Sequence, residues 1–412
     1  MSHSYRAALD FLFPRTTTIK FGLDTTRHLL EVLGNPHHQF EAIHVGGTNG
    51  KGSVATLVGA ALRHHGVRVG LYTSPHLVSF RERIRVDGVP ISREAVVAWT
   101  EALRPAIEET GATFFEATTA MAFADFAARG VEVAVVEVGL GGRLDSTNVI
   151  TPLVSAVTHI ALDHQEYLGG AREESAREMA GIGKPGVFPV IGERDPALAR
   201  LLAEAAAGDG PSPLAPRASP VVLPPEEEYG QPLGLLGPHQ RRNAAVAARI
   251  LAALPGPLQP GPATVAEAFA ATRIAGRLDR RGRWLYDVAH NPDGMRTLTT
   301  AIRHLGPPRP IHALVSILGD KEWPAMLVEL DGAIDEGVLT VAPTAAGRGW
   351  DLGWLERWLA EPDRPPARAR WHLVPDFGEA LAQVERGAGT VLVTGSFHTV
   401  GDVLRARGED VG

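Results

Sequence analysis

Short apolar runs alternate with amphipathic segments along the first part of the chain. The runs, at 40–45, 67–72, 131–138, 153–158 and 187–191, have the composition of strands buried in a parallel sheet. Before, between and after these runs, apolar residues recur at helical spacing at 5–13, 23–33, 54–66, 92–109, 117–129, 173–180 and 196–207. Strands that alternate with helices predict a doubly wound α/β domain with a mostly parallel sheet.

The same alternation starts again in the C-terminal third, after a region of loops and linkers. Residues 208–225 are rich in Pro, Ala and Gly, and residues 255–262 have the composition of a linker. Predicted strands follow at 284–287, 311–315, 338–341, 371–374 and 390–394. We therefore expect a smaller, Rossmann-like α/β domain at 274–412, after an N-terminal domain at 1–273.

A glycine-rich stretch at 46–53, GGTNGKGS, connects the first buried strand to the helical pattern that follows. We call it the nucleotide loop. Glycines let backbone N–H groups face a bound anion, a helix N-terminus adds partial positive charge, and Lys51 adds a full charge. The stretch therefore predicts a P-loop-type site for a nucleoside triphosphate, although Gly52 separates Lys51 from Ser53 and breaks the usual spacing. The alternative is a plain strand-to-helix connection.

Polar residues also follow the other predicted strands of the first sheet. Ser74 follows the second strand, Glu137 lies near the end of the third, and Asp163-His164 come after the fourth. In an open parallel sheet, the carboxyl ends of the strands form the ligand-binding edge, so these groups should converge on the nucleotide loop. Glu137 needs a partner inside its apolar run: Mg²⁺ bridging the phosphates, or an ion pair with Arg143. Ser74 could also belong to a simple Ser-Pro turn.

Many short motifs, in this order along the chain, resemble one family. They are GTNGKGS, TSPHL, RERI, FFE with TTA, EVGLGGRLD with TN, LDH with LG, AGI, and GPHQRRNAA. The series is similar to the folylpolyglutamate synthetase and dihydrofolate synthetase family of the Mur ligase superfamily. In the C-terminal part Asp287 and His290 are retained, whereas Val288 replaces the family's usual Gly and would limit how closely the backbone approaches a ligand. The resemblance implies an ATP-binding domain of the Mur central type followed by a glutamate-ligase domain.

The resemblance also implies the reaction and the residues that serve it. ATP would convert a pteroate or folate carboxylate into an acyl phosphate, which L-glutamate then attacks to form an amide; Mg²⁺ and cationic groups must neutralise the reacting anions. The expected nucleotide contacts are Thr48, Asn49, Gly50, Lys51, Gly52, Ser53, Asn243 near the adenine, Arg277 and Asp287. The expected metal ligands are Ser53, Ser74 and Glu137, with His164 at a second ion. Substrate contacts would be Phe115, Asp145 and Ser146 for the pteroate, and His290 and Ser396 for phosphate or glutamate. The residues expected to be catalytic are Lys51, Glu137, His164 and His290.

One position departs from the family at the second metal ion. In the family, a lysine just before AGI is carbamylated by CO₂, and its new carboxylate helps to hold that ion. This chain has Met179 there, and a thioether offers Mg²⁺ no hard oxygen. Lys184 lies beyond the expected position, after a break in the helix. We therefore expect a second site that is weakened, completed by water, or supplied by a nearby carboxylate such as Glu173, Glu174 or Glu178.

The composition limits the partners of the protein. The chain has 412 residues and a net charge of −7, so there is no overall basic surface for nucleic acid. It has no cysteine, which excludes disulfides, a thiol nucleophile and a cysteine zinc site. No apolar run reaches the roughly 20 residues of a membrane helix, and the N-terminus lacks the apolar region of a signal peptide. We expect a cytoplasmic monomer whose partners are ATP, L-glutamate and a dihydropteroate or reduced folate.

Two other functions remain open at this level. A Mur-type peptide ligase of cell-wall precursors shares the nucleotide loop and the mechanism, although the GLGGRLD stretch and the missing UDP-binding N-terminal domain oppose it. A non-catalytic nucleotide-binding relative would fit the changes at Val288 and Met179. Within the family, the sequence does not separate glutamate addition to dihydropteroate from extension of folate polyglutamates, or from both.

Overall fold

The computed structural model describes residues 3–17, 20–207, 219–345, 347–361 and 368–411. Contacts between residues group the chain into two compact units. Unit 1 comprises Met1–Ser74, Phe80–Pro232 and Arg242–Thr272, and unit 2 comprises Pro75–Ser79, Leu233–Arg241 and Arg273–Gly412. Two short segments that precede residue 274 therefore belong to unit 2. The division into domains 1–273 and 274–412 stays a prediction.

Unit 1 contains an eight-stranded sheet whose central strands are parallel. The strands are β1 (Glu41–Gly46), β2 (Val69–Tyr72), β3 (Ile84–Val86), β4 (Val89–Pro90), β5 (Val133–Glu137), β6 (Val154–Val157), β7 (Phe188–Ile191) and β8 (Val221–Val222). Their order is β4-β3-β2-β5-β1-β6-β7-β8, and only the β3 and β4 edge is antiparallel. β5 is buried along its whole length, as its apolar sequence VAVVE predicts for a strand covered on both faces.

Helices connect and cover these strands. Those before residue 273 are α1 (His3–Leu12), α2 (Asp24–Val32), α3 (Lys51–His64), α4 (Arg93–Thr110), α5 (Phe114–Ala128), α6 (Gln165–Leu168), α7 (Arg172–Ala180), α8 (Pro196–Ala207), α9 (Pro238–Ala252) and α10 (Pro262–Ala271). The predicted N-cap of α4 is confirmed, because Ser92 Oγ accepts a hydrogen bond from Ala95 N at 2.9 Å. No helix in the described ranges is long and apolar enough to cross a membrane.

α5 begins three residues earlier than the pattern predicted, at Phe114 rather than Ala117. Thr113 and Glu116 form a capping box: Glu116 N donates to Thr113 Oγ1 at 3.2 Å, and Thr113 N donates to Glu116 Oε2 at 2.7 Å. Nearly every residue of α5 is buried, which explains its alanine-rich sequence. Phe115, an expected substrate contact, therefore lies in the first turn of a helix.

Unit 2 contains a six-stranded sheet with helices on both faces. The strands are β9 (Asp279–Arg281), β10 (Trp284–Tyr286), β11 (Ile311–Val315), β12 (Glu336–Leu339), β13 (Arg370–Leu373) and β14 (Thr390–Thr394). Their order is β13-β12-β11-β14-β10-β9, and all are parallel except β9. The helices are α11 (Pro292–Leu305), α12 (Trp323–Asp331), α13 (Leu352–Ala360), α14 (Phe377–Arg386) and α15 (Phe397–Ala406). α11, α12 and α13 pack into one hydrophobic cluster, and α14 and α15 pack into another.

The predicted fold class is confirmed, and the differences are local. β3, β4, β8 and β9 were not predicted, because strands of two or three residues carry too little periodicity to be seen in a sequence. β12 lies two residues earlier than predicted. Of the loop predicted at 208–225, residues 208–218 lie outside the described residues, and β8 falls in the remainder.

Candidate active site

The nucleotide loop joins β1 to α3 and leaves the first turn of α3 available to a ligand. The N-cap of α3 is Gly50, which has a φ of 92° and gives no side-chain hydrogen bond to the first helical N–H groups. A Cβ at Gly50 would lie 2.6 Å from Asn243 Oδ1, so only glycine fits between the loop and α9. Backbone N–H groups and the positive end of the helix dipole are therefore presented together, an arrangement that binds anions.

Hydrogen bonds hold the nucleotide loop against the segment after β6. Thr48 Oγ1 donates to Ala161 O and accepts from Ala161 N, both at 3.1 Å. Thr158 Oγ1 donates to Asn49 O at 2.7 Å. A Cβ at Gly47, whose φ is 130°, would lie 2.1 Å from that same hydroxyl oxygen. The nucleotide loop is thus held in place by its contacts with Thr158 and Ala161.

Lys51 and Ser53 occupy the first turn of α3. Lys51 Nζ donates to Gly47 O at 2.7 Å and to Thr48 O at 3.1 Å, which places the ammonium group over the loop. The side chain of Ser53 is buried. The structure therefore brings the expected nucleotide contacts of unit 1 into one turn, with Asn243 beside them.

Glu137 ends β5 beside the central strand, with its Cα opposite Val45 of β1. It is 3% exposed, and its Oε2 accepts a hydrogen bond from Ser74 N at 3.0 Å. The alternative ion pair with Arg143 is not formed, because Arg143 Nη2 lies 2.8 Å from Glu178 Oε1. Two of the expected metal ligands, Ser74 and Glu137, are therefore in contact at the carboxyl edge of the sheet.

Arg83 is a buried cation close to Glu137 for which the sequence suggested no role beyond its RERI motif. It is 8% exposed, and its Cζ lies 5.1 Å from the centre of the Phe114 ring. Burial lowers the pKa of Arg83, and Tyr72 and Glu137 oppose that shift. A buried positive charge therefore lies close to the Glu137 carboxylate.

The glycine-rich loop at 139–148 follows β5 and is organised around Asp145. Asp145 Oδ2 accepts from Gly139 N at 3.1 Å and from Leu140 N at 2.9 Å. Its Oδ1 accepts from Thr147 N at 3.0 Å and from the Thr147 hydroxyl. Burial raises the pKa of Asp145, and these hydrogen bonds act against the increase. Both carboxylate oxygens are engaged by groups of the same loop.

Phe115 lies directly against the start of this loop. A Cβ at Gly139 would come within 2.3 Å of Phe115 Cζ, so the ring covers the glycine closely. The Phe115 and Tyr72 ring centroids are 5.9 Å apart. Ser146 starts a short 3-10 helix, Ser146–Val149, and its side chain is buried. The three expected pteroate contacts therefore belong to one local structure.

His164 and Met179 lie where the sequence leads us to expect a second metal ion. His164 has a φ of 50°, and its Nε2 lies 3.9 Å from Asp163 Oδ1. Met179 is 3% exposed and packs in an apolar cluster with Val138 and Leu168. In the part of the chain that the structure describes, no three His, Cys, Asp or Glu side chains are placed together to hold a metal. Lys184 Nζ donates to Asn148 O at 3.0 Å, and burial lowers its pKa.

In unit 2, expected site residues gather where β10 and β14 end. Asp287 Oδ2 accepts from Leu278 N and its Oδ1 from Ala289 N, both at 2.9 Å. Burial raises the pKa of Asp287 to about 6, although Arg277 lowers it. Because this pKa is close to neutral pH, Asp287 depends on Arg277 and on its two backbone hydrogen bonds to stay charged.

Phe397 packs against two more side chains that are expected at this site. Arg277 Cζ lies 5.0 Å from the centre of its ring, and the His290 ring lies 5.7 Å away. Ser396 caps α15, because its Oγ accepts from Thr399 N at 3.1 Å. Val288 is 1% exposed and packs in the hydrophobic cluster of α14 and α15, so its side chain fills core.

His44 is a further buried residue near the site, and the sequence pattern did not single it out. It lies inside β1 and is fully buried, and its Nε2 is 2.8 Å from Thr147 Oγ1. Burial, with a smaller effect of Lys184, lowers its pKa to about 3. A tertiary hydrogen bond of this kind leaves no mark on local sequence periodicity.

Comparison with known proteins defines the class. The Mur ligase middle domain matches residues 45–208, and the Mur ligase glutamate ligase domain matches residues 273–397. A folylpolyglutamate synthase of Lacticaseibacillus casei is 38% identical over 344 residues, which cover 76% of this chain and 80% of that protein. The solved structure of Escherichia coli FolC in complex with DHPP and ADP has a TM-score of 0.85 and 28% identity, covering 99% of this chain and 98% of that one. The bifunctional folylpolyglutamate synthase/dihydrofolate synthase of Yersinia pestis, complexed with AMPPNP and Mn ion, has a TM-score of 0.82 and 29% identity, covering 99% and 98%.

The two domain matches and the architecture are those of a Mur-type ligase. Within that class, the chain belongs to the folylpolyglutamate synthase/dihydrofolate synthase family. The family resemblance, the fold class and the enzyme class, an ATP-dependent ligase, are therefore confirmed.

The buried His44 predicts a pH dependence of stability. Its pKa is about 3 in the folded protein, whereas an unfolded histidine has a pKa of about 6.5. The unfolded chain therefore binds this proton first, and the free energy of unfolding should fall from pH 6.5 downwards by up to about 1.4 kcal/mol per pH unit. In urea unfolding between pH 6.5 and 4.5, His44→Gln should show a shallower decrease than the wild type. The control is His304→Gln, at an exposed position of α11; an equal change in both variants would contradict the assignment.

Proposed function

We propose that this chain uses ATP to join L-glutamate to the carboxylate of a dihydropteroate or a reduced folate. The observation that carries the proposal is the nucleotide loop, with Lys51 held over it by Gly47 O and Thr48 O, in a chain of this family. The nucleotides and the Mn ion named for the solved relatives support ATP and a divalent metal ion here.

The reaction has two displacement steps. A carboxylate oxygen of the substrate attacks the γ-phosphorus of ATP, and ADP leaves, which produces an acyl phosphate. The amino nitrogen of glutamate then attacks the acyl carbon, loses a proton, and phosphate leaves. Catalysis rests on positioning and charge stabilisation. We assign the β- and γ-phosphate oxygens to Lys51 and to the backbone N–H groups of the loop, and the adenine side to Asn243.

Ser53, Ser74 and Glu137 would hold one Mg²⁺. Their donors are hydroxyl and carboxylate oxygens, which this cation prefers, and Glu137 is already fixed by Ser74 N. A single carboxylate is sufficient, because Mg²⁺ usually keeps several waters and takes phosphate oxygens as ligands. When bound, the ion would neutralise phosphate charge.

The remaining assignments concern the second unit and the substrate. Arg277 and Asp287 are proposed for ATP, and His290 and Ser396 for phosphate or glutamate; Phe397 packs against Arg277 and His290 and orients both. Phe115, Asp145 and Ser146 are proposed for the pteroate end, where the Phe115 ring would offer an aromatic face. That the protein is a cytoplasmic monomer without nucleic-acid or membrane partners is proposed from the sequence alone.

A phosphate-release assay tests the function. Protein, ATP, Mg²⁺ and L-glutamate are combined with dihydropteroate in one arm and with a reduced folate monoglutamate in another. We expect release that requires glutamate and one or both of these carboxylates, and the active arm identifies the substrate. Release with a UDP-muramyl compound instead would show a cell-wall ligase. ATP binding without any glutamate-dependent release would show a non-catalytic relative.

Lys51→Ala should abolish turnover and leave the fold intact, because this half-buried side chain lies over the loop and fills no part of the core. Loss of one charge-stabilising group commonly raises a barrier by about 2.7 to 4 kcal/mol, or roughly 100- to 1000-fold in rate. The control is Lys20→Ala, which also removes an ammonium group but one bound to Thr110 O and Gly111 O at the end of α4. Near-normal turnover of Lys51→Ala with unchanged thermal stability would disprove the loop assignment.

Glu137→Gln and His164→Ala should each raise the Mg²⁺ concentration needed for half-maximal activity, because each removes a proposed ligand. Glu101→Gln is the control, since Glu101 pairs with Arg104 on α4 and is proposed for neither ion. The measurement is a Mg²⁺ titration of initial rates with saturating ATP. If the Mg²⁺ dependence of a variant equals that of the wild type, the replaced residue is structural and is not a metal ligand.

We propose that the second metal ion binds weakly, with water or a nearby carboxylate in place of a carbamylated lysine. Met179 supports this, because it packs among apolar side chains and offers no oxygen. With an ATP analogue, electron paramagnetic resonance should count one tightly bound Mn²⁺, and activity should not respond to bicarbonate. In Met179→Lys, bicarbonate should strengthen Mn²⁺ binding at a second site, and the substitution itself should lower thermal stability. Met179→Leu should bind Mn²⁺ as the wild type does. Two tight ions in the wild type, with a carbamylated Lys184, would refute the proposal.

A further inference from the structure

His44 occupies a position where an aliphatic side chain would be expected. It lies inside β1, with its Cα opposite Val136 of β5 and Ser155 of β6, and it is completely buried. Strands covered on both faces ordinarily carry Val, Ile or Leu, and a buried polar ring loses its hydration. Its Nδ1 finds no hydrogen-bond partner among the residues that the structure describes. Packing alone therefore does not account for a histidine here.

The geometry defines how the protons are placed. Thr147 Oγ1 lies 2.8 Å from His44 Nε2, and the Thr147 hydroxyl also donates to Asp145 Oδ1. The Thr147 hydroxyl has a single proton, and that proton forms the hydrogen bond to the Asp145 carboxylate. His44 Nε2 must therefore carry a hydrogen and donate it to Thr147 Oγ1. The ring is the neutral Nε2–H tautomer, and a chain of donors runs from His44 through Thr147 to Asp145.

The other end of this chain is the glycine-rich loop. The remaining Asp145 oxygen accepts from Gly139 N and Leu140 N, which form the turn that the Phe115 ring covers. Without the His44 donor, the Thr147 hydroxyl could rotate towards other acceptors and release Asp145 Oδ1. The central strand that leads into the nucleotide loop is thus connected, by side-chain hydrogen bonds, to the turn beneath the proposed pteroate contacts.

We propose that His44 is a positioning residue for the carboxylate substrate. It fixes the Thr147 hydroxyl, and through it the orientation of Asp145, so that the loop at 139–148 keeps the shape that receives the pteroate or folate. This inference rests on the proposed function, which names that substrate. His44 acts only through Thr147, so its removal should affect binding of this substrate and leave the nucleotide loop, which has its own contacts with Ala161 and Thr158, unchanged.

Kinetics of matched variants test the proposal. His44→Leu and Thr147→Val each remove one hydrogen-bonding group with little change in volume. We expect each to raise the KM for the folate substrate by up to roughly tenfold, the scale of one lost hydrogen bond, with the KM for ATP within about twofold of wild type. The double variant should be no worse than either single one, because both break the same chain. His44→Gln, whose amide can still donate, should restore most of the affinity.

A measurement without turnover separates this inference from the proposed function. In hydrogen exchange of the free protein, the backbone amides at 139–148 should exchange faster in His44→Leu and Thr147→Val than in the wild type. The amides at 46–53 should exchange at the wild-type rate. Nitrogen NMR of the wild type should show the Nε2–H tautomer of His44. Equal changes in both KM values, unchanged exchange at 139–148, or an Nδ1–H tautomer would overturn the proposal.

If the wild type releases no phosphate with any carboxylate, the proposed function fails, and the exchange and tautomer results still decide whether the hydrogen bonds from His44 through Thr147 to Asp145 hold the loop. Should His44→Leu not fold, Thr147→Val alone decides the question.

Discussion

The structure depends on the close approach of the nucleotide loop to the segment that follows β6. Thr158 binds the loop backbone at Asn49 O, and Ala161 binds the Thr48 hydroxyl. Position 47 accepts only glycine beside Thr158, as position 50 does beside Asn243, and these contacts orient the first turn of α3. The other expected site residues of unit 1 are placed relative to this turn by the parallel sheet, since the carboxyl ends of adjacent strands meet at one edge. Glu137 ends the strand next to β1, and Ser74 follows the strand beyond it.

A second common feature is that the buried carboxylates of the site are held by backbone N–H groups. Glu137 is bound by Ser74 N, Asp145 by the N–H groups of its own loop, and Asp287 by Leu278 N and Ala289 N. The bonds to Asp145 and Asp287 oppose the rise in pKa that burial causes. All of these bonds fix the direction of the carboxylate oxygens before any ligand arrives. A ligase that must bring together two anions gains from groups that need no rearrangement during the reaction.

Much of this arrangement was predictable from the sequence, for identifiable reasons. Long apolar runs gave the parallel strands, and the strand-end rule placed Ser74 and Glu137 together before their hydrogen bond was known. The contacts of His44 and of the buried Arg83 were not predictable, because His44 binds Thr147 and Arg83 lies close to Glu137, both distant in sequence. The Asp145 network was not predictable either, because it depends on how its own loop turns. The start of α5 was predicted three residues too late, because its capping box lies in a stretch whose sequence is typical of a loop that leads into a helix. Pattern also could not show that 75–79 and 233–241 belong to unit 2, since only tertiary contacts define that grouping.

The central claim is that this chain activates a carboxylate as an acyl phosphate, and oxygen transfer tests it most directly. The carboxylate of the active substrate is labelled with ¹⁸O and converted in the presence of ATP, Mg²⁺ and L-glutamate, and the released phosphate is analysed by mass spectrometry. When an acyl phosphate reacts with glutamate, the bond between the acyl carbon and the bridging oxygen breaks, so each phosphate should contain one ¹⁸O atom that came from the carboxylate. Phosphate without the label, or label found in AMP, would contradict the claim.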